Sequence, residues 1–517
     1  MIPTIQMVNG EKALMVDGKP FTLLGGEVHN SSSSSAAYME EKVWPYIRGM
    51  HLNTLAIPVA WETIEPEEGR FDFTLVDQLL AQARREKMRL ILLWFGLWKN
   101  AQSTYVPAWV KRDTTRFFRA ELHSHLDHHK SACAVSPCCQ AAVQADAKAF
   151  AALMDHLRQV DERENTVILV QVENEVGLLG TDRDFSPAAQ SLFDAPVPQE
   201  VAEAFHCSGS WEVSFGYDAS SQFMSWCFAR ALEQIAQAGK AAYPLPMYAN
   251  AWTVQYPGER PGSYPSGGPV AERMEMWRLA APSLDFYSPD IYLPDFAAEC
   301  RKYAQPGNPL FIPEAHKNNS AASYALYAIG AHSAWGFSPF GIEDMQGPVS
   351  GFLQGIFQEA LGGDPNEDNS QAPAYLGEAY RILETLADRI GQYRNSPSLQ
   401  GFLQYKDKKV ELGFTAYDLR IRYFPKAPNA PLGAGLVLEE SLDTFYIAAT
   451  GCMVDVMPKP GERCRAEILS LEEGAFKDGE WETDRVLNGD EQYHFFEAMP
   501  KLVRLTLHKL TLESKEV

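Results

Sequence analysis

The sequence lacks several features that would each define a class of protein. No stretch approaches about eighteen consecutive apolar residues, so no transmembrane helix is predicted. The eight cysteines are scattered along 517 residues and do not resemble a disulfide framework. The N-terminal residues have no basic segment followed by an apolar run, so we expect no signal peptide and a cytoplasmic location. Acidic residues outnumber basic ones, 67 to 45, which argues against nucleic acid or an anionic membrane as a partner.

Strand and helix patterns alternate along most of the chain. Apolar and β-branched runs predict eight strands, at residues 21–29, 52–61, 88–98, 166–172, 244–252, 283–292, 308–316 and 334–344. Helical patterns begin near residue 36 and recur at 76–86, 145–160, 221–239 and 373–393. No Gly-rich phosphate loop follows the first strand, so a closed (β/α)8 barrel is favoured over a doubly wound sheet.

The pattern changes near residue 395. Beyond it, alternating apolar runs are separated by Pro and Gly, which predicts an antiparallel β-sandwich. The expected fold is therefore an α/β protein with a (β/α)8 TIM barrel at residues 1–394, followed by a smaller all-β domain at 395–517. That second domain could be a carbohydrate-binding module, a dimerisation surface or a lid. We expect a homodimer.

Two glutamates lie at the C-terminal ends of predicted strands. Glu175 follows the buried run TVILVQV, and Glu314 ends the seventh strand. An acidic residue after a strand is often only the polar start of a loop, but the tips of strands four and seven face each other across a barrel mouth. Two carboxylates about 5 to 5.5 Å apart would suit a retaining glycosidase, in which one attacks the anomeric carbon and the other acts as acid and then base. Glu173 is expected to point back into the barrel wall.

The motifs around these glutamates resemble a known family. QVENEVG resembles the acid/base segment of glycoside hydrolase family 35, the β-galactosidases of a large retaining (β/α)8 clan, and FIPEAH resembles its nucleophile segment. GGEVHNSS, PVAWETIEPEEGRFDF, LWFGLWKN and SPDIY resemble a bacterial branch with a C-terminal β domain of unassigned function. The resemblance implies Glu175 as acid/base, Glu314 as nucleophile and Asn174 as a contact to the sugar 2-hydroxyl. It implies a glycoside or small oligosaccharide substrate, with no metal and no organic cofactor.

Two departures from the family pattern concern the choice of sugar. Pro58 precedes Val59 where the family usually has Tyr, and Gln102 stands where an Asn-Ala-Glu segment would have its carboxylate. Asn100 is kept, and we predict that it binds the substrate. The expected activity is that of a β-galactosidase. The alternatives are a β-glucosidase, an α-L-arabinopyranosidase or a β-fucosidase with the same mechanism, or a catalytically silent carbohydrate-binding protein.

Further candidates lie at predicted strand ends. Aromatic rings can stack on sugars or pack at the barrel mouth, and the candidate platforms are Trp61, Trp98, Trp252 and Trp335. The resemblance favours Trp335, because the clan often places a stacking Trp after the eighth strand. Tyr292 is a candidate to hydrogen-bond the nucleophile. Glu27 and His29 end the first strand and are predicted to line the pocket.

Residues 123–139 form a segment rich in His and Cys. Such a density could bind zinc, but the spacing matches no standard site and contains no CxxC pair. We predict a solvated loop without a metal.

Overall fold

The structure is a computed structural model that describes residues 1–122, 131–254, 256, 258–346, 368–492 and 496–511. Three short antiparallel strands open the chain: β1 (Thr4–Val8), β2 (Glu11–Val16) and β3 (Lys19–Pro20). Asn9 and Gly10 join the first two strands, and both have positive φ, 52° and 84°. This is the hairpin turn that an Asn-Gly pair favours.

Parallel strands form the centre of the molecule. The strands up to residue 337 are β4 (Leu23–Glu27), β5 (Thr54–Ala60), β6 (Arg89–Lys99), β7 (Arg119–Glu121), β8 (Ser131–Val135), β9 (Val167–Asn174), β10 (Met247–Trp252), β11 (Phe286–Ile291), β12 (Glu314–Ala315) and β13 (Gly336–Phe337). Strands β7 and β8 form a separate antiparallel hairpin. The other eight pair in parallel in the order β12-β11-β10-β9-β6-β5-β4-β13, and a parallel bridge between Ile312 and Phe337 closes the ring. The predicted (β/α)8 barrel is confirmed.

The seventh and eighth strands are shorter than predicted. Each keeps only two residues in regular pairing, Glu314–Ala315 and Gly336–Phe337. Pro313 and Pro339 flank these pairs, and proline has no N–H to donate to a neighbouring strand. The mouth of the barrel is therefore formed by irregular backbone on this side.

Helices surround the barrel. They are α1 (Ala36–Tyr38), α2 (Trp44–Ile47), α3 (Trp61–Ile64), α4 (Thr74–Arg85), α5 (Ala108–Arg112), α6 (Gln140–Asp161), α7 (Pro187–Asp194), α8 (Gln199–Ala204), α9 (Trp211–Phe215), α10 (Ala219–Ala242), α11 (Met274–Ala280), α12 (Phe296–Tyr303), α13 (Ala321–His332), α14 (Ala372–Thr385) and α15 (Ala387–Tyr393). A π-helical turn, Met39–Val43, joins α1 to α2, and short 3-10 turns lie at Ser32–Ser34, Gly216–Asp218, Ala271–Arg273, Ile342–Asp344 and Gly489–Gln492.

The sequence patterns predicted the longer amphipathic helices and missed others. The helix predicted at 373–393 is two helices that meet at Leu386. Helix α13 was missed because it is buried on nearly every side, from Ala321 to Gly330. A helix without a polar face has no amphipathic period for a sequence pattern to reveal. None of the helices in the described ranges is long and apolar enough to cross a membrane.

The C-terminal strands form two antiparallel sheets. They are β14 (Leu399–Leu403), β15 (Lys409–Gly413), β16 (Tyr417–Tyr423), β17 (Ala434–Glu439), β18 (Thr444–Thr450), β19 (Cys452–Pro458), β20 (Cys464–Lys477), β21 (Glu480–Val486) and β22 (Lys501–Thr511). One sheet has the order β14-β17-β18-β22-β20-β21 and the other β15-β16-β19. Both contribute to one apolar core that includes Leu419, Phe445 and Leu505. The predicted antiparallel β domain is confirmed.

This β domain packs against the outside of the barrel. Ser323 Oγ in α13 donates a hydrogen bond to the carbonyl of Leu432 at 2.6 Å. Gly330 and Gly401 meet at the same contact, where a Cβ on Gly401 would lie 2.4 Å from the backbone nitrogen of Ala331. Both glycines are therefore needed for the close approach. The predicted boundary after residue 394 stays a prediction.

Candidate active site

Glu175 and Glu314 meet at the C-terminal end of the barrel. Glu175 directly follows β9, and Glu314 begins β12. One carboxyl oxygen from each, together with one from Asp290, lies within 4.8 Å of the others. Glu175 is 5% exposed and Glu314 is 4% exposed. The fold thus brings together two carboxyl groups that are far apart in the sequence.

The backbone at the end of β9 turns sharply to present Glu175. Glu173 and Glu175 both have left-handed backbone conformations, with φ of 62° and 45°. Such a conformation costs an L-residue roughly 1–2 kcal/mol. The neighbouring β6 end holds the turn, because the N–H groups of Asn100 and Ala101 donate to the carbonyls of Asn174 and Glu175 at 3.2 and 3.1 Å.

Each carboxyl oxygen of Glu314 accepts one hydrogen bond. Tyr292 Oη donates to Oε2 at 2.9 Å, and Asn174 Nδ2 donates to Oε1 at 3.2 Å. The Asn174 amide is oriented by Lys99, whose Nζ donates to Asn174 Oδ1 at 2.8 Å. Burial and the nearby Glu314 raise the pKa of Tyr292 well above its usual value, so it stays a phenol donor. These contacts suit an ionised carboxylate at Glu314.

Glu175 has different surroundings. Its Oε2 accepts a hydrogen bond from Asn100 Nδ2, and its backbone N–H donates to Asn250 Oδ1 at 2.9 Å. Burial and the charge of Glu314 raise the pKa of Glu175 to about 7, although Lys99 and a hydrogen bond with Asp290 act in the opposite direction. Glu175 can therefore carry a proton near neutral pH, as a general acid must.

Glu27 and Lys99 complete the charged set at the mouth. Burial, followed by the charge of Glu314, raises the pKa of Glu27 well above its usual value, so this carboxyl is neutral. No described N–H or O–H group donates to either Glu27 carboxyl oxygen. Burial opposes the charge on Lys99, but the surrounding carboxyls, with Glu314 first among them, outweigh it and raise the Lys99 pKa. One ammonium group thus lies among several acids.

Three of the predicted sugar platforms are wrong. The rings of Trp61, Trp98 and Trp335 are 0%, 0% and 1% exposed, so a sugar cannot stack on them. Trp61 starts helix α3 and packs edge-on against Trp109, with ring centroids 5.7 Å apart. Trp98 donates its indole N–H to the carbonyl of Val135 at 2.9 Å, beneath the β8 hairpin.

Trp335 lies at the opposite end of the barrel from the two glutamates. It precedes β13, and its indole N–H donates to the carbonyl of Lys12 in the N-terminal hairpin at 3.0 Å. Its ring packs against Phe286 at the start of β11, with centroids 4.9 Å apart. Trp252 remains as a half-buried ring at the end of β10, paired in register with Asp290.

His29 lies at the rim of the mouth. Its Nε2 is 3.0 Å from Asp344 Oδ1, and its backbone N–H donates to Glu343 Oε1 at 3.0 Å. Asp344 also pairs with Lys317. These contacts connect His29, which was predicted to line the pocket, to the loop after β13. These contacts are not with the two central glutamates, and the role of His29 in the pocket stays a prediction.

Sequence reasoning missed Lys99, Asn250 and Asp290. Each is a polar residue in, or directly after, a predicted strand that is largely apolar, in LWFGLWKN, PLPMYANAW and SPDIY. A polar side chain near the C-terminal end of a barrel strand is itself a signal for the pocket. That signal was available in the sequence, but these segments were used only as family motifs and strand patterns.

The carboxyls of Glu175, Asp290 and Glu314 are close enough to hold a cation by spacing alone. Lys99 Nζ already supplies a positive charge next to them. In the His/Cys-rich segment, residues 123–130 lie outside the described residues, and Cys133 is an exposed free thiol. The absence of a metal stays a prediction for both places.

Two family models match parts of this chain. Residues 13–242 match the family model described as Glycosyl hydrolases family 35, and residues 376–499 match that of a domain of unknown function, DUF5597. The first match includes Glu175 and ends before Glu314. The second begins inside helix α14, ahead of the predicted domain boundary.

Several β-galactosidases are similar to this chain. That of Xanthomonas manihotis is 27% identical over 182 residues, which are 34% of this chain and 27% of that protein's length. The structure of β-galactosidase from Bacillus circulans sp. alkalophilus aligns with a TM-score of 0.49 at 14% identity, covering 71% of this chain and 57% of that one. The enzyme from Rahnella sp. R3 aligns with a TM-score of 0.48 at 16% identity, covering 72% and 57%. Residues 13–242 are thus similar to glycoside hydrolase family 35, the family that the motifs resemble, and residues 376–499 are similar to DUF5597.

Proposed function

We propose that this protein is a retaining, exo-acting β-galactosidase that removes terminal non-reducing sugars from small oligosaccharides. Glu314 is the nucleophile and Glu175 is the acid/base. We further propose that it works in the cytoplasm as a homodimer and needs no cofactor. The observation that carries the proposal is the close approach of the two carboxyl groups, with oxygens within 4.8 Å.

That separation favours retention over inversion. Retaining enzymes have carboxyl groups about 5–5.5 Å apart, whereas inverting enzymes need about 6.5–9.5 Å to admit a water molecule beside the sugar. With oxygens within 4.8 Å, Glu175 and Glu314 are close enough for a covalent intermediate. Their environments also differ in the required sense, because Glu175 holds a proton near neutral pH and Glu314 accepts two hydrogen bonds.

The first step forms a glycosyl-enzyme ester. A carboxylate oxygen of Glu314 attacks the anomeric carbon while the bond from that carbon to the leaving oxygen breaks. Glu175 gives its proton to the leaving oxygen, and the aglycone departs as an alcohol. In this proposal Tyr292 stays bonded to the Glu314 oxygen that does not attack, and Asn174 bonds the sugar 2-hydroxyl.

The second step hydrolyses the ester. Glu175, now a carboxylate, accepts a proton from a water molecule as the water oxygen attacks the anomeric carbon. The bond between that carbon and Glu314 breaks, which regenerates both carboxyl groups in their starting forms. Two inversions at one carbon give net retention, so the first sugar released is the β-anomer.

Galactose is the sugar we propose, because residues 13–242 match the family 35 model and a relative is named as a β-galactosidase. The departures at Pro58 and Gln102 keep other sugars as alternatives: β-glucosides, α-L-arabinopyranosides and β-fucosides. A site built to bond a given hydroxyl rejects a sugar that lacks it or presents it differently. A silent carbohydrate-binding protein is disfavoured by the complete set of Glu175, Glu314 and Asn174.

A panel of nitrophenyl glycosides tests the proposal. We expect the β-galactoside to be cleaved with the highest kcat/KM, and proton NMR to show the β-anomer first. Glu314→Gln, purified in the same way, is the control for contaminating glycosidases. A different preferred sugar would correct the substrate alone, α-galactose released first from the β-galactoside would overturn the retaining mechanism, and binding without hydrolysis would support the silent protein.

A further inference from the structure

Asp290 occupies a central place that neither the motifs nor the two-carboxylate mechanism explains. It lies in β11, next to the end of the strand, and is 1% exposed. In register it pairs with Glu314 on one side and with Trp252 on the other. One of its carboxyl oxygens is within 4.8 Å of both Glu175 and Glu314. A third acid at such a place requires a physical reason.

The two oxygens of Asp290 have different neighbours. Asn250 Nδ2 donates to Oδ2 at 2.7 Å, while Asn250 Oδ1 accepts the backbone N–H of Glu175 at 2.9 Å. One amide therefore fixes both the Asp290 side chain and the Glu175 backbone. No described N–H or O–H group donates to Asp290 Oδ1. Asp290 and Glu175 share a side-chain hydrogen bond, and each has a carboxyl oxygen within 4.8 Å of one on the other.

Two carboxyl groups can share a hydrogen bond only if one of them carries a proton. Burial, followed by the charges of Glu314, Glu175 and Glu27, raises the pKa of Asp290 well above its usual value. The pKa of Glu175 is raised only to about 7, because the Asp290 hydrogen bond and Lys99 favour its charged form. The proton between the pair therefore belongs to Asp290, which donates to Glu175.

Other titratable groups face this pair from the surrounding strands. Glu314 and Glu27 are acids on β12 and β4, and Lys99 is the ammonium on β6. Tyr292 and Tyr248 are buried phenols whose pKa values are raised, first by burial, so both remain neutral. Lys99 and Glu314 therefore also influence the pKa of Glu175 when Asp290 is changed.

We propose that Asp290 is a positioning residue for the acid/base: as a neutral carboxylic acid it donates a hydrogen bond to Glu175, and Asn250 holds the two groups in register. This inference rests on the proposed function. Before the first step, the bond fixes the orientation of the Glu175 carboxyl. After that step, it stabilises the Glu175 carboxylate that must activate water. The contact of Asp290 is with Glu175 rather than with the reacting carbon.

The substitution Asp290→Asn separates this role from that of an ionised aspartate. The amide oxygen can still accept from Asn250, and the amide N–H can still donate to Glu175. A neutral donor is thereby replaced by a neutral donor of nearly the same shape. If Asp290 were ionised, the same change would remove a negative charge next to Glu175 and make that glutamate a stronger acid.

The test measures the pH dependence of kcat/KM for wild type, Asp290→Asn and Asp290→Ala. Each protein is assayed with two glycosides of the sugar that wild type prefers, one with an alkyl and one with a 2,4-dinitrophenyl leaving group. We expect the basic limb of wild type and Asp290→Asn to coincide near pH 7 for the alkyl glycoside, since kcat/KM reports the free enzyme. Asp290→Ala should move that limb upward by about one pH unit and lower kcat/KM about tenfold. The dinitrophenyl glycoside, which needs no acid, should be cleaved by Asp290→Ala within about threefold of wild type.

The outcomes separate the possible failures. A basic limb that moves to lower pH in Asp290→Asn, or an equal loss on both substrates in Asp290→Ala, would overturn the positioning role. If Asp290→Ala does not fold, as judged by circular dichroism and thermal unfolding, Asp290→Asn alone decides. A wild-type protein that cleaves none of the glycosides would instead reject the proposed function.

Discussion

Glu173 and Glu175 leave the same strand two residues apart, and their carboxyl groups enter different surroundings. Both are buried, and burial is the largest cause of the raised pKa of each. Glu173 accepts backbone N–H groups from Leu97 and Trp98 at 3.0 and 2.7 Å. Glu175 accepts from the side chain of Asn100 and otherwise faces other carboxyls of the pocket.

Glu173 and Asp146 form a pair of buried acids, which we call the structural pair. Glu173 shares a hydrogen bond with Asp146 from helix α6, and Asp146 accepts the indole N–H of Trp94 at 2.7 Å. A Cβ on Gly96 would lie 2.4 Å from an Asp146 oxygen and 2.5 Å from a Glu173 oxygen. The glycine is required because the bulged end of β6 passes so close to these carboxyls that a side chain at position 96 would collide with them.

The pocket acids are arranged differently. Glu27 and Asp290 each keep carboxyl oxygens to which no described group donates. Such a buried atom without a donor costs about 1–3 kcal/mol when nothing binds it. A raised pKa therefore does not distinguish Glu175 from Glu173. The donors differ instead between Glu173 and Glu27: both carboxyl oxygens of Glu173 accept backbone N–H groups, whereas neither carboxyl oxygen of Glu27 has a donor among the described residues.

The pocket acids and the structural pair should differ most in how a substitution affects activity when the nucleophile is removed. Glu314→Gln keeps the size and hydrogen-bonding capacity of the side chain but cannot form a stable glycosyl ester. We expect kcat/KM to fall by about four orders of magnitude or more for every leaving group. Glu173→Gln is the matched control on the structural side and should stay within about tenfold of wild type. Comparable losses in the two variants would erase the proposed distinction.

Loss of the acid/base should have a large effect that depends on the leaving group. Glu175→Ala removes the proton donor, so kcat/KM for an alkyl glycoside should fall by about 10²–10⁴. A dinitrophenyl glycoside needs no proton in the first step and should be cleaved far better. Added azide, a nucleophile that needs no base, should speed its turnover and give a β-glycosyl azide. An α-azide, or no dependence on the leaving group, would contradict the assignment.

The sequence was sufficient for the eight strands and the two central glutamates. The apolar runs of a parallel barrel are nearly continuous, so each strand could be recognised without knowledge of its neighbours. Glu175 and Glu314 follow such runs directly, and the topology of an eight-stranded barrel then brings their tips to one mouth. Local pattern and global fold agree at these positions, which is why the two carboxyl groups meet as the fold prediction required. Their catalytic roles stay a prediction.

The tryptophans show where this reasoning stops. Trp98 ends the apolar run of β6, as Glu175 follows that of β9, but the bulge between Trp94 and Lys99 turns its ring away from the mouth. Trp335 lies at the start of the eighth strand, directly before Gly336–Phe337, whereas the stacking Trp of the clan would follow that strand. Strand ends can be located from a pattern, whereas bulges and proline-interrupted strands change which side chains point inward.

Asp146 could not have been found from the sequence. It lies in a long helix, where an isolated acid is ordinarily a solvated residue. Its partner Glu173 comes from a strand, and the two meet only because α6 packs on the bulged end of β6. Asp290 differs, since a charge within the apolar segment SPDIY was visible in advance. Tertiary contacts decide which of the two acids is structural.

Substitutions in the structural pair should lower the stability of the protein, whereas substitutions in the pocket should lower kcat/KM. Glu173→Ala leaves the backbone N–H of Trp98 without an acceptor and opens a cavity, so we expect the free energy of unfolding to fall by about 2–4 kcal/mol. Glu173→Gln can still accept from Trp98 and donate to Asp146, so its loss should stay under about 1 kcal/mol. Urea unfolding followed by tryptophan fluorescence measures both. Equal stability of Glu173→Ala and wild type would contradict the structural role.

Substitution of Glu27 should lower kcat/KM without lowering stability, and the loss should be smaller than for Glu175 or Glu314. Its carboxyl is neutral and has no donor among the described residues, so it can both donate to and accept from sugar hydroxyls. Glu27→Gln retains one donor and one acceptor and should keep kcat/KM within about threefold of wild type. Glu27→Ala should lose about 1–2 kcal/mol of transition-state binding, about five- to thirtyfold in kcat/KM. The Glu27 side chain has few hydrogen bonds to lose. The free energy of unfolding of Glu27→Ala, measured with urea, should therefore be equal to or higher than that of wild type. A Glu27→Ala protein that is destabilised but fully active would place Glu27 with Glu173 rather than with the pocket acids.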